Sequence, residues 1–289
     1  MEVLSERVWR AREAAHEARV DAATTGHRAR RATGEKHPVE DFLFTYYTQS
    51  LAALRRWHPG LGVALVGAAT DERAEWRFMR ADAGSVTLDV DAFLAARGER
   101  MRSVEQLVRA TAGRPGQFGC FGLHEWAMVH RLERPDVRHP AWPLRLGAAG
   151  TDAVVESHQV VCTHLDAFRF FTPTARPLNA LQPTRADQVE LEQPGCLHAG
   201  MDCYKWAFQL SPAVPSELVA DGFDLARDIR VLDMRASPYD LSGLGYEPVP
   251  IETRAGKAVY VEAQRGFSAR AQELRRRLLA VTERLLAAA

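Results

Sequence analysis

Two spacings of hydrophobic residues divide the chain and predict different elements. Apolar residues follow a helical period through 91–112 and 216–234, which predicts amphipathic helices in both stretches. The spacing changes to alternation over about 62–90 and again over about 247–263, where we expect a small antiparallel β-meander and a C-terminal β-hairpin. The sequence therefore predicts an α+β fold that is predominantly α-helical, with a helical core and two small β elements.

The N-terminal segment is distinguished by its charge. Residues 1–36 contain many arginines interspersed with glutamates, a composition typical of a solvated helix with ion pairs between successive turns. The cluster Arg28 to Arg31 is the one patch there that suits a phosphate. We predict this arginine-rich helix, followed by a single globular α+β domain over 37–289 in which His37-Pro38 begins the first helix.

The composition is that of a globular protein with balanced charge. Lys and Arg together number 37, as do Asp and Glu, so the chain as a whole has no strong attraction to nucleic acid or anionic lipid. No apolar run is long enough to span a membrane, and the N-terminus is charged from its second residue. We therefore expect a cytoplasmic protein without a membrane partner. The four cysteines form no CxxC pair, so reduced thiols are expected.

Three stretches place a histidine beside a carboxylate within an apolar, aromatic run. They are Gly119–Arg131, Cys162–Pro173 and Pro194–Leu210. In the third stretch, His198 and Asp202 are one helical turn apart and share a face, where both can meet one metal ion or one substrate. Because charged groups are seldom buried without a reason, we interpret the three stretches as walls of one buried polar pocket.

This pocket supplies candidates for catalysis and metal binding. The candidate catalytic residues are Asp202, Asp166, His198 and Glu125. The candidate metal ligands are His124, His164, His198 and Asp202. Three imidazoles and a carboxylate suit an iron or zinc ion. His130 lies about 240° around a helix from His124, so these two histidines do not face one ion.

A second set of residues suits substrate binding. Aromatic rings provide stacking surfaces, and the turn RASPYDL places an arginine, a tyrosine and a carboxylate close together on constrained backbone. The candidate substrate-binding residues are Tyr46, Tyr47, Trp126, Tyr204, Lys205, Arg235 and Tyr239. The long polar connection over 172–193 has a length typical of lids and binding loops.

Three sets of strings together resemble a family of actinobacterial proteins of about this length. They are HPVEDFLFTYY with LRRWHPG, THLDAFRFFTPTARPLN, and QPGCLHAGMDCYKWAF with LDMRASPYDL. The family is labelled 3-methyladenine DNA glycosylase, and the resemblance extends from His37 to Gln264. It implies hydrolytic removal of an alkylated base, with DNA or another nucleobase-containing substrate as partner. The glycine hairpin and the basic helical repeats of well-understood alkyl-base glycosylases are not found in this sequence, so no catalytic residue is transferred.

Three functions are compatible with these residues. A glycosylase would extrude an alkylated base into an aromatic pocket and use Asp202 or Asp166 to stabilise positive charge on the sugar. A metal-dependent oxygenase or hydrolase would use the histidines and carboxylates to bind iron or zinc and act on a small molecule. A non-catalytic helical protein would use the same groups as a buried hydrogen-bond network. The two enzyme hypotheses depend on residues 124, 164, 198 and 202 facing a common cleft.

Overall fold

Helices make up most of the fold, and one small sheet is formed early in the chain. The structure, a computed structural model, describes residues 1–133 and 136–288. The elements through the sheet are β1 Glu2–Leu4, α1 Glu6–Ala23, α2 Thr25–Thr33, α3 Phe42–Tyr46, α4 Leu51–Arg55, β2 Val63–Val66, β3 Met79–Asp82 and β4 Ser85–Leu88. The helices that follow are α5 Val90–Ala112, α6 Leu123–Ala127, α7 Gly147–Ser157, α8 Leu165–Phe168, α9 Gln188–Leu191, α10 Leu197–Gln209, α11 Ser216–Arg235 and α12 Arg254–Leu286. The predicted α+β, mainly helical class is confirmed.

The sheet has four strands in the order β1-β2-β4-β3. Strand β4 pairs antiparallel with both β2 and β3, so the antiparallel strands predicted over 62–90 and the turn between β3 and β4 are confirmed. The predicted meander order is wrong, because β4 lies between β2 and β3. Strand β1 adds a parallel edge, with Glu2 opposite Val63. Alternate side chains of these strands, including Leu65 and Val86, are buried in a core with Trp9 and Trp57. That core holds the sheet against α1, where the Trp9 indole N–H donates to the Val66 carbonyl at 2.9 Å.

The C-terminal hairpin predicted over about 247–263 is wrong, because this stretch leads into the single long helix α12. Thr253 precedes the helix, and its hydroxyl accepts a hydrogen bond from the Gly256 N–H at 3.0 Å, which satisfies a donor of the first turn. Gly256, Tyr260 and Gln264 are buried at intervals of four residues, which is a helical spacing. The alternating VYVEA within it therefore belongs to a helix with a narrow buried face.

The chain folds into two compact units. The first contains Met1–Arg109, Cys203–Asp224 and the chain from Glu273 onwards, and the second contains Ala110–Asp202 and Leu225–Gln272. The arginine-rich helices α1 and α2 belong to the first unit. Within it, Arg28 pairs with Asp21, and Arg30 pairs with Asp41, so much of the cluster predicted to suit a phosphate makes internal ion pairs. Among the helices of the described chain, none has an apolar stretch that would cross a membrane.

Candidate metal centre

Helix α6 carries two of the candidate residues into the interior of the second unit. Gly122 precedes it in the left-handed region, with φ 73°, a conformation that glycine adopts without strain. The apolar stretch over 119–132, whose spacing predicts one helix, forms a helix of only five residues, Leu123–Ala127, and every one of them is buried. His124 and Glu125 are almost completely buried on this helix, so both need partners inside the protein.

The segment before α8 is fixed by the side chain of Asn179. Its Oδ1 accepts from the Cys162 N–H at 2.7 Å, and its Nδ2 donates to the Cys162 carbonyl at 3.0 Å. One amide thereby supplies the two hydrogen bonds that a neighbouring strand would provide. His164 follows in extended backbone, immediately before α8, and its side chain is completely buried.

The turn after α9 places Glu192 in the same interior. Gln193 Oε1 accepts from the N–H groups of Gln117 and Gly195, at 2.8 and 2.7 Å, and Gln264 Nε2 donates to the Gly195 carbonyl at 2.7 Å. A Cβ at Gly195 would lie 2.3 Å from the Gln117 carbonyl oxygen, so only glycine fits there. This close contact of two backbones fixes the turn that presents Glu192.

Helices α10 and α11 bring the remaining groups. Within the second unit, Gly200 lets α10 approach Ile229 of α11 closely, since a Cβ there would lie 3.1 Å from the Ile229 Cδ1. His198 stands in the first turn of α10 and Asp202 one turn later, and both are buried. Asp233 of α11 is 1 % exposed, which is rare for a carboxylate without a charged partner or a metal.

Two groups of potential metal ligands result. The Asp233 group consists of His124, His198 and Asp233, and the Glu192 group consists of His164, Glu192 and Asp202. Within each group, the three ligand atoms all lie within 4.8 Å of one another, and all six residues are buried. The four predicted ligands are therefore divided equally between two groups, each completed by a carboxylate that sequence reasoning missed.

The two groups are contiguous through His198. Its ring lies edge-on to that of His124, with centroids 4.5 Å apart, and stacks on that of His164 at 5.3 Å. His164 Nε2 lies 3.3 Å from Asp202 Oδ2 and 3.6 Å from Glu192 Oε1. The three histidines thus form a continuous row whose two ends carry the carboxylates.

A buried guanidinium supports the Asp233 group. Arg230 Nη1 donates to Glu125 Oε1 at 2.6 Å and to Asp233 Oδ2 at 3.1 Å. The second oxygen of Asp233, Oδ1, lies 2.8 Å from His124 Nε2. On the other side of its ring, His124 Nδ1 is 3.9 Å from the Cys120 sulfur. Arg230 and Cys120 thus contact the outer sides of two potential ligands.

Burial and neighbouring charge shift the acidities in this region. Burial alone would lower the pKa of His124, but Asp233 beside it raises that pKa well above the ordinary imidazole value. Burial, followed by the charge of His124, lowers the pKa of His198 well below its ordinary value. Burial alone would raise the pKa of Glu125, but Arg230 lowers it to about 2. Glu125 is therefore ionised at neutral pH and pairs with Arg230.

Two predicted catalytic carboxylates lie outside both ligand groups. Asp166 is partly exposed on α8 and lies 3.6 Å from the guanidiniums of Arg169 and Arg185, which are largely exposed. Glu125 contacts Arg230, as described above. These contacts indicate that Asp166 forms a surface ion pair and that Glu125 supports the interior.

The predicted substrate-binding residues are distributed over both units. In the first unit, Tyr47 and Tyr204 are buried and contact each other edge-on, at 5.6 Å between ring centroids. Tyr46 stacks on Phe42, and the ammonium of Lys205 lies over the ring of Trp206.

In the second unit, three further candidates make backbone contacts. Trp126 is fully buried and donates its indole N–H to the Ala236 carbonyl at 2.8 Å. Arg235 donates to the Glu247 carbonyl, and Tyr239 is buried with its backbone bridged to Leu144. Trp126 and Tyr239 therefore pack in the interior.

Asp233 and Glu192 are the site residues that sequence reasoning missed. For Asp233 a signal exists, because Ala226, Ile229 and Asp233 follow one another at helical spacing and all are buried. An aspartate within an apolar helical stripe is unusual and indicates a buried role. Glu192 lies in a turn without periodicity, and its sequence context carries no such signal.

This region is therefore a buried centre of histidines and carboxylates in a mainly helical protein. Comparison of the chain with protein-family models, with curated proteins and with solved structures finds no match.

Proposed function

We propose that the chain is a metal-dependent enzyme that holds two metal ions, one in the Asp233 group and one in the Glu192 group. The first group offers two imidazoles and a carboxylate, and the second offers one imidazole and two carboxylates. Nitrogen and oxygen donors of this kind suit iron or zinc, and no sulfur atom belongs to either group.

One observation carries the proposal. His124 Nε2 and Asp233 Oδ1 lie only 2.8 Å apart, yet neither atom has a hydrogen-bond partner among the described residues. The two atoms thus lie in contact while no other described group satisfies either of them. A metal ion would displace the proton that Asp233 favours on His124, and two ligands of one ion have this relation because each directs its electron pair at the ion.

The surrounding residues suit a metal ligand sphere. Arg230 binds Oδ2 of Asp233 and leaves Oδ1 on the side of His124, while Glu125 holds Arg230 in place. Such outer contacts orient ligands and maintain affinity. A metal ion bound here would polarise a substrate oxygen or lower the pKa of a bound water. Because all six ligand residues are buried, the proposed substrate is a small molecule.

Metal analysis of protein purified without an affinity tag tests the proposal. We expect two iron or zinc ions per chain in the wild type. Asp233→Asn and His164→Ala should each lower that content, since each removes a ligand of a different group. Asp228→Asn is the matched control, because Asp228 lies on the same helix as Asp233 and forms an exposed ion pair with Arg270. This control should keep both ions.

Folded wild-type protein that contains no stoichiometric metal, and takes up neither Fe²⁺ nor Zn²⁺ when these are added, would contradict the proposal. The reaction class follows from the metal. Oxygen consumption by the iron-loaded protein supports an oxygenase, and activity that persists with zinc supports a hydrolase, since zinc has no redox chemistry.

The resemblance to the 3-methyladenine DNA glycosylase family suggests a different reaction, which we keep as the second candidate. Asp202 is its candidate carboxylate, and it lies 3.3 Å from His164 in the buried interior of the second unit. Release of free base from methylated DNA by metal-free protein, abolished in Asp202→Asn, would support the glycosylase. Stoichiometric metal together with no base release would support the metal-dependent enzyme.

A further inference from the structure

A pocket in the first unit is rich in basic and aromatic residues. It encloses about 730 Å³ of empty space, part of it open to solvent. The side chains that give it its chemical character are Arg56, Arg77, Arg97, His58, Trp76 and Phe78. No Asp or Glu lines this arginine pocket, although the chain as a whole has as many acidic as basic residues. The pocket is therefore a concave surface with a local excess of positive charge.

Aromatic rings hold the three guanidiniums in position. The guanidinium of Arg56 lies over the Trp76 ring at 4.8 Å, and those of Arg77 and Arg97 lie over the Phe78 ring at 4.5 and 5.6 Å. Stacking of this kind occupies the face of a guanidinium and leaves its N–H groups, which lie in its plane, available as donors. The side chains are thereby ordered before any ligand arrives.

These guanidiniums lack the partners that other arginines of the unit have. Arg19 and Arg55, for example, each pair with acidic side chains. Within residues 1–133 and 136–288, no carboxylate oxygen lies within ion-pair distance of Arg56, Arg77 or Arg97. Arg97 donates a hydrogen bond to the Gln209 carbonyl.

Burial and the closeness of the positive groups to one another disfavour further positive charge in the pocket. Burial, followed by the charge of Arg77, lowers the pKa of Arg97 below its ordinary value. Burial, followed by the charge of Arg56, lowers the pKa of His58 to about 4, so this imidazole is neutral at pH 7. His58 Nδ1 is buried and has no hydrogen-bond partner in the described chain. An anion would relieve the repulsion and supply a partner to this nitrogen.

We propose that the arginine pocket binds the phosphate group of a phosphorylated ligand through Arg56, Arg77 and Arg97. Guanidinium forks match phosphate oxygens, of which a phosphate monoester offers three and the diester of a nucleic-acid backbone offers two. The phosphate comes either from a free phosphate ester or from the backbone of a nucleic acid. None of the proposed metal ligands lines this pocket, so the assignment stands independently of the metal centre.

Isothermal titration calorimetry of the full chain tests the assignment with two probes, adenosine 5′-monophosphate and a single-stranded oligothymidylate. We expect saturable binding that weakens about tenfold or more in Arg77→Ala and in Arg56→Ala, because each loses a charged donor. Both side chains are exposed, so both variants should fold. The matched control is Arg80→Ala, which removes an exposed arginine of β3 that does not line the pocket.

The pattern of binding decides the source of the phosphate. Binding of the monophosphate supports a free phosphate ester, and binding of the oligonucleotide alone supports a nucleic-acid backbone. If neither probe binds, or if Arg80→Ala weakens binding as much as Arg77→Ala, the pocket is not a phosphate site. Repeating the titration in Asp233→Asn excludes phosphate bound at the proposed metal centre, because the arginine pocket should retain its affinity there.

Discussion

Replacing Glu125 by glutamine removes the negative charge that Arg230 contacts in the interior of the second unit. Arg230 lowers the pKa of Glu125 from an ordinary value of 4.5 to about 2. Such a difference corresponds to about 3 kcal/mol of stability at pH 7. It lies at the lower end of the ~3–5 kcal/mol that breaking one side of a buried ion pair typically costs, as expected because Arg230 keeps its contact with Asp233. We therefore expect Glu125→Gln to lower the free energy of unfolding by about 3 kcal/mol at pH 7.

The loss should depend on pH in a defined direction. Because the pKa of Glu125 is lower in the folded than in the unfolded chain, its contribution is complete above about pH 5.5 and is lost as the pH falls from 4.5 towards 2. The difference between wild type and Glu125→Gln should therefore shrink to about 2 kcal/mol at pH 3.5. The glutamine variant, which has no charge to lose at this position, should show a flatter pH profile.

Urea denaturation of metal-depleted protein at pH 7, 4.5 and 3.5 measures both quantities. Glu262→Gln is the matched control, because Glu262 is exposed on α12, and its cost should stay within about 0.5 kcal/mol at each pH. A cost below about 1 kcal/mol for Glu125→Gln at pH 7, or a cost that does not change with pH, would refute the reasoning about this pair.

Further substitutions test the backbone that supports the site, each by urea denaturation. Gly195→Ala should lower stability by more than about 2 kcal/mol, since its methyl group would lie 2.3 Å from the Gln117 carbonyl oxygen. Gly119→Ala is its control and should be nearly neutral, because nothing lies within 4 Å of a Cβ there. Asn179→Ala should lower the free energy of unfolding by about 2–3 kcal/mol, since it leaves the buried N–H and carbonyl of Cys162 without their partner. It should also lower the metal content, because the segment that positions His164 is no longer held in place. If metal content is unchanged, Asn179 does not position that ligand. Removal of bound metal with a chelator should lower Tm in the wild type, and a Tm that does not change would count against the metal centre.

The fold was predictable where a hydrophobic period ran long enough. Helices α5 and α11 begin and end close to the expected residues, and α10 lies between Pro194 and Pro212, which mark clear boundaries. The prediction of a C-terminal hairpin was wrong because it rested on a short alternating segment. The valines and the tyrosine of this segment have a high β propensity. However, Tyr260 and Gln264 are both buried, four residues apart, as on one face of a helix. The tertiary packing of this face outweighs the local preference for a strand.

The candidate site was predictable in its histidines and incomplete in its carboxylates. His124, His164 and His198 stood out because imidazoles within apolar runs are rare. Sequence spacing cannot show that a turn near Glu192 and a distant helix containing Asp233 meet the same interior. Their convergence depends on tertiary contacts, such as the close approach of two backbones at Gly195. In the sequence, the residues that make these contacts are single glycines and glutamines, which form no recognisable pattern.

Helix α10 has a consequence for how the proposed centre would fill. His198 and Asp202 occupy successive turns of one helix and belong to different ligand groups. The main chain, with a rise of about 6 Å over four residues, would therefore fix the distance between the two proposed ions. Because the helix fixes this separation before either ion binds, and because two cations repel each other at such a distance, the second ion should bind more weakly than the first.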